Sequence, residues 1–302
     1  MLNNKTVMTA LLLKSLNNKG MDMFRNLFSS IMLCSISLLF AGYLYAAESI
    51  KLLTANTPLF SEFDDEGNVR GYSIDFASSL LDLAGIKADI TPLPFARLVR
   101  ELQRGQLMMA TGIGRIKQRE DHYFWIAPLT ATDINLYGKT LKIPNSQQRS
   151  GTSKTSVAVM RGDYRAELVK ENPQFALHEY NSWAQAINAV IKERVDAVFF
   201  SDTGIRIYCQ RNKLDCSQIR KLVHADTVYS YLVMPKTEDN QELAMTLKES
   251  LSTFLQSSRY LAIKQRWQPM LENHLSGVWL SNGVIKFGEI SNEHYHLAGS
   301  SQ

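Results

Sequence analysis

The sequence lacks the signatures of common enzyme chemistries. It contains no G-x-S-x-G elbow, no H-E-x-x-H pair and no Walker glycine–lysine loop, which leaves serine-hydrolase, zinc-protease and P-loop chemistry without their usual motifs. Gly112-x-Gly114 lacks the third glycine and the downstream context of a dinucleotide site. His294-x-His296 stands in a polar tail without further residues at metal-ligand spacing and reads as a solvated pair. No cofactor and no metal are expected. One-sided charge is also missing. Most of the formal net charge of +4 comes from the N-terminal region, where Lys5, Lys14, Lys19 and Arg25 outnumber Asp22; without these residues the rest carries 29 basic and 28 acidic side chains, 33 less four against 29 less one. Nothing in that balance calls for nucleic acid or an acidic membrane surface. Cysteine is scarce, three residues in all.

The longest apolar run explains one of the cysteines. Arg25 is followed by Asn26–Ala47, which has no charge until Glu48, includes Cys34 and ends in the small residues Ala46 and Ala47. A basic residue, an apolar run and a small-residue end describe a secretory signal peptide, although the run is also long enough for a single membrane anchor. No cysteine follows it near 41–47 to carry a lipid. Met21 or Met23 is a more ordinary start for such a signal, so residues 1–20 read as an over-extended start and 1–47 as a leader. The exported remainder is expected in the periplasm, not embedded in the membrane. In that compartment Cys209 and Cys216 point to a local disulfide rather than half of a metal site.

What is present is α/β periodicity. Ser49–Thr54 reads as a short apolar strand, followed by a loop with Pro58 and Phe60 and by an Asp/Gly/Asn turn. Ile74, Ala77, Leu80, Leu81 and Ala84 have helical spacing that stops at Gly85. Ala88–Thr91 reads as a second strand. Phe95, Leu98, Val99 and Leu102 mark a second helix closed by Gly105. Strands follow at Leu107–Thr111, Tyr123–Ala127 and Asp133–Gly138, and the alternation implies a parallel sheet with helices on its faces. The polar stretch Lys139–Lys154 reads as a boundary or exposed loop. A second α/β run begins at Val157–Met160 and includes the capping box Ser182-x-x-Gln185 and a buried strand at Val195–Phe200. A basic loop is expected over Arg206–Lys221, then a strand at Tyr229–Met234 and two final helices, the second running to Trp267. Residues 273–302 show no strong periodicity and are expected to be loosely held.

The stretch from Gly105 to Pro128 carries most of the functional signal. A strand ending in the turn Gly112-Ile113-Gly114 presents free backbone N–H groups where open α/β sheets bind ligands. Arg115 and Arg119 are spaced to share a helical face, and a guanidinium beside such N–H groups can clamp a carboxylate. A solvated turn between two core strands is the alternative. Phe60 and Phe95 sit at strand-to-helix edges where a flat ligand could stack, or belong to the core. Arg97 is either an anion contact or a surface charge.

The order of these signals resembles the bacterial extracellular solute-binding proteins of family 3, the amino-acid type. The resemblance rests on Gly71-Tyr72-Ser73-Ile74-Asp75, Leu102-Gln103-Arg104-Gly105, the Gly112–Gly114 turn with Arg119 ahead of Phe124-Trp125-Ile126-Ala127-Pro128, Val157–Gly162, the Val195–Val198 strand and Tyr260–Trp267. It implies a two-lobed, hinge-bending fold of the periplasmic-binding-protein type II class with a ligand cleft. Lobe 1 would comprise 48–134 plus 230–272, lobe 2 135–229, and 273–302 a tail. It also implies capture of a small polar solute, an amino acid or related carboxylate, for the membrane subunits of an ABC-type uptake transporter, by a monomer without enzymatic activity. A sensor domain reporting to a membrane partner is the alternative reading, and an enzyme on the same scaffold a third. Carried over from the family, Gly112, Ile113, Gly114 and Arg119 would hold a ligand carboxylate and Phe95 would stack on the ligand. The second lobe would contribute Gly162, Asp163 and Tyr164, with Ser201 or Asp202 at its acidic position. The chain departs from the family pattern at several of these positions. Asp163 replaces a hydroxyl, glycines replace the hydroxyl-rich turn before Arg119, Met108 replaces an Asp, and Asp202 falls one residue late.

Overall fold

A computed structural model describes residues 49–64, 66–139, 154–274 and 278–287. The leader 1–47, most of the polar stretch 139–154 and the pair His294 and His296 lie outside the described residues.

The first α/β run folds as β1 (Ser49–Thr54), the short hairpin β2 (Glu62–Phe63) and β3 (Val69–Arg70), α1 (Tyr72–Leu83), β4 (Lys87–Pro92), α2 (Phe95–Leu102) and β5 (Met108–Gly114). Strands β4, β1 and β5 are parallel neighbours, so α1 and α2 are the crossovers that cover the sheet. Helix α1 buries Ile74, Ala77, Leu80 and Leu81, the positions with helical spacing, and the chain turns off it at Gly85, whose φ of 76° suits glycine. A 3-10 turn over Lys117–Arg119 leads into β6 (Tyr123–Gly138).

The second run comprises β7 (Thr155–Met160), α3 (Arg165–Glu171), β8 (Phe175–Tyr180), α4 (Trp183–Ile191), β9 (Ala197–Phe200), α5 (Asp202–Arg211) and β10 (Arg220–Pro235). In the expected capping box Ser182 Oγ accepts from Gln185 N at 3.3 Å. Helices α6 (Glu238–Leu255) and α7 (Ser258–His274) return to the first lobe, followed by β11 (Val278–Ser281) and β12 (Val284–Phe287). There Phe254, Leu247, Trp267 and Leu271 share one core with Leu52, Tyr72, Phe76 and Met109.

Two strands organise the whole. β6 and β10 have 16 residues each, roughly 50 Å at the usual rise, and pair antiparallel from Arg220↔Gly138 to Pro235↔Tyr123. One half of this ribbon joins β5, β1 and β4 in lobe 1; the other joins β9, β7 and β8 in lobe 2. The ribbon therefore joins the two lobes' halves of one continuous, mixed sheet, rather than the parallel sheet expected. Its four register shifts add the local bends that bulges impose.

Four expectations change. The expected turn Gly112-Ile113-Gly114 is the end of strand β5, where Ile113 and Gly114 pair with Tyr231 and Ser230 of β10, so it is not a free turn with open N–H groups. The strands expected separately at Tyr123–Ala127 and Asp133–Gly138 are one strand that pairs with β10 across Pro128, which falls at the register shift between Ser230 and Tyr231, the kind of irregularity where strand prolines are found. The basic loop expected over Arg206–Lys221 begins as helix α5, whose N-terminus is capped by Ser201 Oγ accepting from Gly204 N at 3.0 Å. Residues 278–287 are not loosely held. They form a hairpin whose strand β12 pairs parallel with β6, Ile285↔Thr130 and Lys286↔Ala131. Among the described residues no helix is long and apolar enough to cross a membrane.

Candidate functional site

The carboxyl ends of β5, β7 and β9 point toward one cleft between the lobes, where open α/β sheets place ligands. The cleft encloses a cavity of about 160 Å³, well under the roughly 300–1,000 Å³ of sites for drug-sized molecules. A small solute fits such a space.

The lobes touch around the cavity. Arg119 Nη2 donates to the Gly162 carbonyl at 3.1 Å, Arg211 pairs with Glu62 at 2.9 Å, and Gln118 donates to Glu171. Gly162 has a φ of 78°, and a Cβ there would stand 3.1 Å from the Ala96 Cα. At Gly114 a Cβ would stand 2.4 Å from the Tyr164 ring. Gly114 and Gly162 therefore let one lobe seat against the other.

Of the residues singled out from sequence, Phe60, Phe95, Gly112, Asp163, Tyr164 and Ser201 line the cavity. The remaining five lie elsewhere. Ile113 is fully buried in lobe 1, because alternation along β5 turns its side chain inward. Gly114 lies under Tyr164 and Gly162 against Ala96. Arg119 is spent on the inter-lobe bond, its Nη1 buried without a partner among the described residues. Asp202 is half exposed, accepts from Tyr137 and pairs with Lys221 at 3.3 Å. Asp202 follows the cap residue Ser201 as the first residue of α5, which turns it out of the cleft. Cys209 and Cys216 form a disulfide that ties the end of α5 to the following turn.

Sequence reasoning missed the most charged feature of the wall. Arg165 Nη1 pairs with Asp163 Oδ1 at 2.8 Å, with side chains 10% and 7% exposed. The same carboxylate oxygen accepts from Arg165 N at 3.0 Å. The guanidinium carbon lies 4.6 Å from the Tyr164 ring centre, 4.9 Å from that of Trp183 and 5.5 Å from that of Phe200. Trp183 and Phe200 stack on each other at 4.3 Å. This is an aromatic cage with a carboxylate, the arrangement that holds cations, and the chain's own arginine fills it. Burial works against the charge on Arg165, but Asp163 outweighs it and raises the pKa. Burial also pushes the neighbouring Tyr208 phenol up to about 12, so it stays neutral. Arg165 Nε is buried and has no hydrogen-bond partner among the described residues.

A local signal for Arg165 was available. A cation in the first turn of a helix opposes the helix dipole, and a local rule broken without visible compensation marks a functional or strained position. Trp183, Phe200 and Phe287 offered none, because a large aromatic in an apolar segment reads as core.

Asp163 and Arg165 are the only charged residues on the cavity wall among the described residues, and they neutralise each other. The rest is apolar or hydroxylic, including Ser73, Thr111, Ser201 and Thr203. Thr54 and Thr111 share a hydrogen bond at 2.9 Å between their hydroxyls, which fixes the end of β5.

Comparison with known proteins agrees with this architecture. The arginine-binding periplasmic protein of Mannheimia haemolytica is 21% identical over 239 residues, 77% of this chain and 96% of that one. Among solved structures, a histidine kinase sensor domain with similarity to periplasmic binding proteins superposes with a TM-score of 0.59 at 14% identity, covering 73% of this chain and 96% of that one. The substrate-binding protein of an amino acid ABC transporter gives 0.55 at 21% identity, with 72% and 98% covered. Such distant structural likeness establishes the fold, and the two-lobed type II architecture is shared with periplasmic binding proteins. The family model of the bacterial extracellular solute-binding proteins, family 3, matches residues 50–270, and the chain belongs to that family.

Proposed function

We propose that this protein captures a small amino acid or related carboxylate without net positive charge and delivers it to an ABC-type uptake transporter. The observation that carries the reading is Arg165, on the cavity wall, with a buried Nε–H that lacks a partner among the described residues. A buried donor left unpaired costs about 1–3 kcal/mol, and a solute oxygen bound while the lobes are open would satisfy it once they close over it. The hydroxyls of Thr111, Ser201 and Thr203 can meet further polar atoms of the solute.

Cationic solutes fit less well. Asp163, the carboxylate that would receive an ammonium or guanidinium, is already paired with Arg165, and the aromatic cage is occupied. A ligand that bridges the lobes shifts the open–closed equilibrium by its differential affinity, and contacts to both Thr111 of lobe 1 and Arg165 of lobe 2 supply that difference. The transporter role is supported by family membership and by the kinds of protein that share the fold.

Thermal unfolding against a panel of amino acids, dicarboxylates and polyamines tests the reading. A ligand at a hundred times its Kd adds about 2.7 kcal/mol to folded stability. Stabilisation by small neutral amino acids or carboxylates is expected. Stabilisation by arginine or polyamines alone, or by no member of the panel, refutes it; the latter result favours a sensor that reports to a membrane partner.

A further inference from the structure

We propose that the C-terminal hairpin β11–β12 is a specificity wall of the cleft, with Phe287 setting the largest solute the closed lobes can enclose; this rests on the solute-capture reading above. The hairpin lies beyond residue 270, where the match to the family model ends, so its contribution belongs to this chain rather than to the shared scaffold.

The hairpin is built into lobe 1. Its two-residue turn is Asn282-Gly283, with φ values of 48° and 80°, the positive pair that suits a tight hairpin. The turn is inserted into the core. Tyr72 OH donates to Gly283 O at 2.5 Å, and Gly283 N donates to Tyr260 OH at 2.8 Å, both buried. A Cβ on Gly283 would stand 2.9 Å from Leu255 and from Phe76. Val278, Leu280 and Ile285 are buried in the same cluster as Leu52 and Trp267.

This anchoring aims the end of β12 at the cleft. β12 runs parallel to β6 with Ile285 beside Thr130 and Lys286 beside Ala131. Further along the same edge of β6, Asn135 pairs with Phe200 of β9 from lobe 2. The hairpin therefore ends next to the crossing between the lobes. Side chains on a strand alternate in face, so Phe287 continues the face of Ile285 beyond the core. Its ring lies 6.0 Å from that of Phe60, edge to face, and both rings line the cavity with Thr130 and Thr132. Ile207 of lobe 2 packs against the same lobe 1 cluster as these two rings. Phe287 thus closes the hinge side of a space whose other walls both lobes supply.

The hydrogen bonds that hold the hairpin involve Gly283 and the backbone of β12, so truncating Phe287 removes the wall without releasing its support. The test compares the full chain with F287A and with S281A, a change in the same hairpin away from the cavity. Affinity is measured by calorimetry for L-alanine, L-valine, L-leucine and L-phenylalanine. The wild type and S281A are expected to favour the smaller members, and F287A to shift toward leucine or phenylalanine by about ten-fold or more, since one methylene in an apolar pocket is worth at least that. The same ranking in wild type and F287A overturns the proposal.

If no variant binds any of the four and the thermal panel above is also silent, the solute reading fails and a solute-free measurement decides the wall. Methyl methanethiosulfonate should label F287C several-fold faster when G114A is added to push the Tyr164 ring and hold the lobes apart. Equal labelling rates, read from the mass of the peptide carrying residue 287 in a variant whose scattering radius shows the lobes apart, overturn the proposal.

Discussion

Replacing Arg165 perturbs the pair and the cage at once, and the geometry sets the size of the effect. Asp163 is 7% exposed on its side chain and its only side-chain charge partner among the described residues is Arg165. Removing one member of a buried pair leaves an uncompensated charge and costs about 3–5 kcal/mol. For a chain of this size each kcal/mol moves Tm by about 2–4 °C, so R165A is expected to melt roughly 6–20 °C below wild type. The double variant D163N/R165M removes both charges while keeping most of the volume, and should recover much of that loss. R165A also empties a cage of three aromatic rings beside a carboxylate. Methylguanidinium or L-arginine at millimolar concentration should therefore stabilise R165A by several degrees and leave wild type unchanged. Differential scanning calorimetry with and without each additive reads both effects. An R165A variant as stable as wild type, or indifferent to guanidinium compounds, would refute the reasoning that this arginine occupies a cation site.

Two further outcomes follow from contacts between the lobes. G114A places a methyl group where the Tyr164 ring lies 2.4 Å away; small-angle scattering should show a larger mean radius, and solute affinity should fall ten-fold or more, while an unchanged radius and affinity would mean the ring yields freely. Glu62 is held below the ordinary value of 4.5: burial opposes the shift, but Arg211 and the Leu59 N–H outweigh it. Its contribution to closure is therefore present above pH about 4.5 and is lost as pH falls through the lowered value. Wild type should open more readily below that range, by inter-lobe fluorescence transfer, and E62Q should show a flatter acid response; identical pH profiles would remove the role assigned to this pair.

Much of the architecture could be read from local sequence. The spacing of Ile74, Ala77, Leu80 and Leu81 marks a buried helical face wherever it occurs, and Ser182 with Gln185 starts a helix by satisfying its own N–H groups. The ordered set of such signals, with the Gly112–Gly114 glycines and the Val195–Val198 strand, was enough to identify the family. Tertiary structure decided what the side chains do. Arg119 and Asp202 carry suitable charges, but the inter-lobe bond to Gly162 and the partners Tyr137 and Lys221 engage them outside the cavity. Arg165 turns inward because an acid two residues away and three rings from separate segments converge on it. Phe287 joins the wall because β12 finds a free edge of β6, a pairing between residues more than a hundred positions apart. Hydrophobic period and capping act within a few residues and are written in the chain. Cleft composition depends on which distant strands share an edge and on how two lobes meet, and no local pattern encodes that.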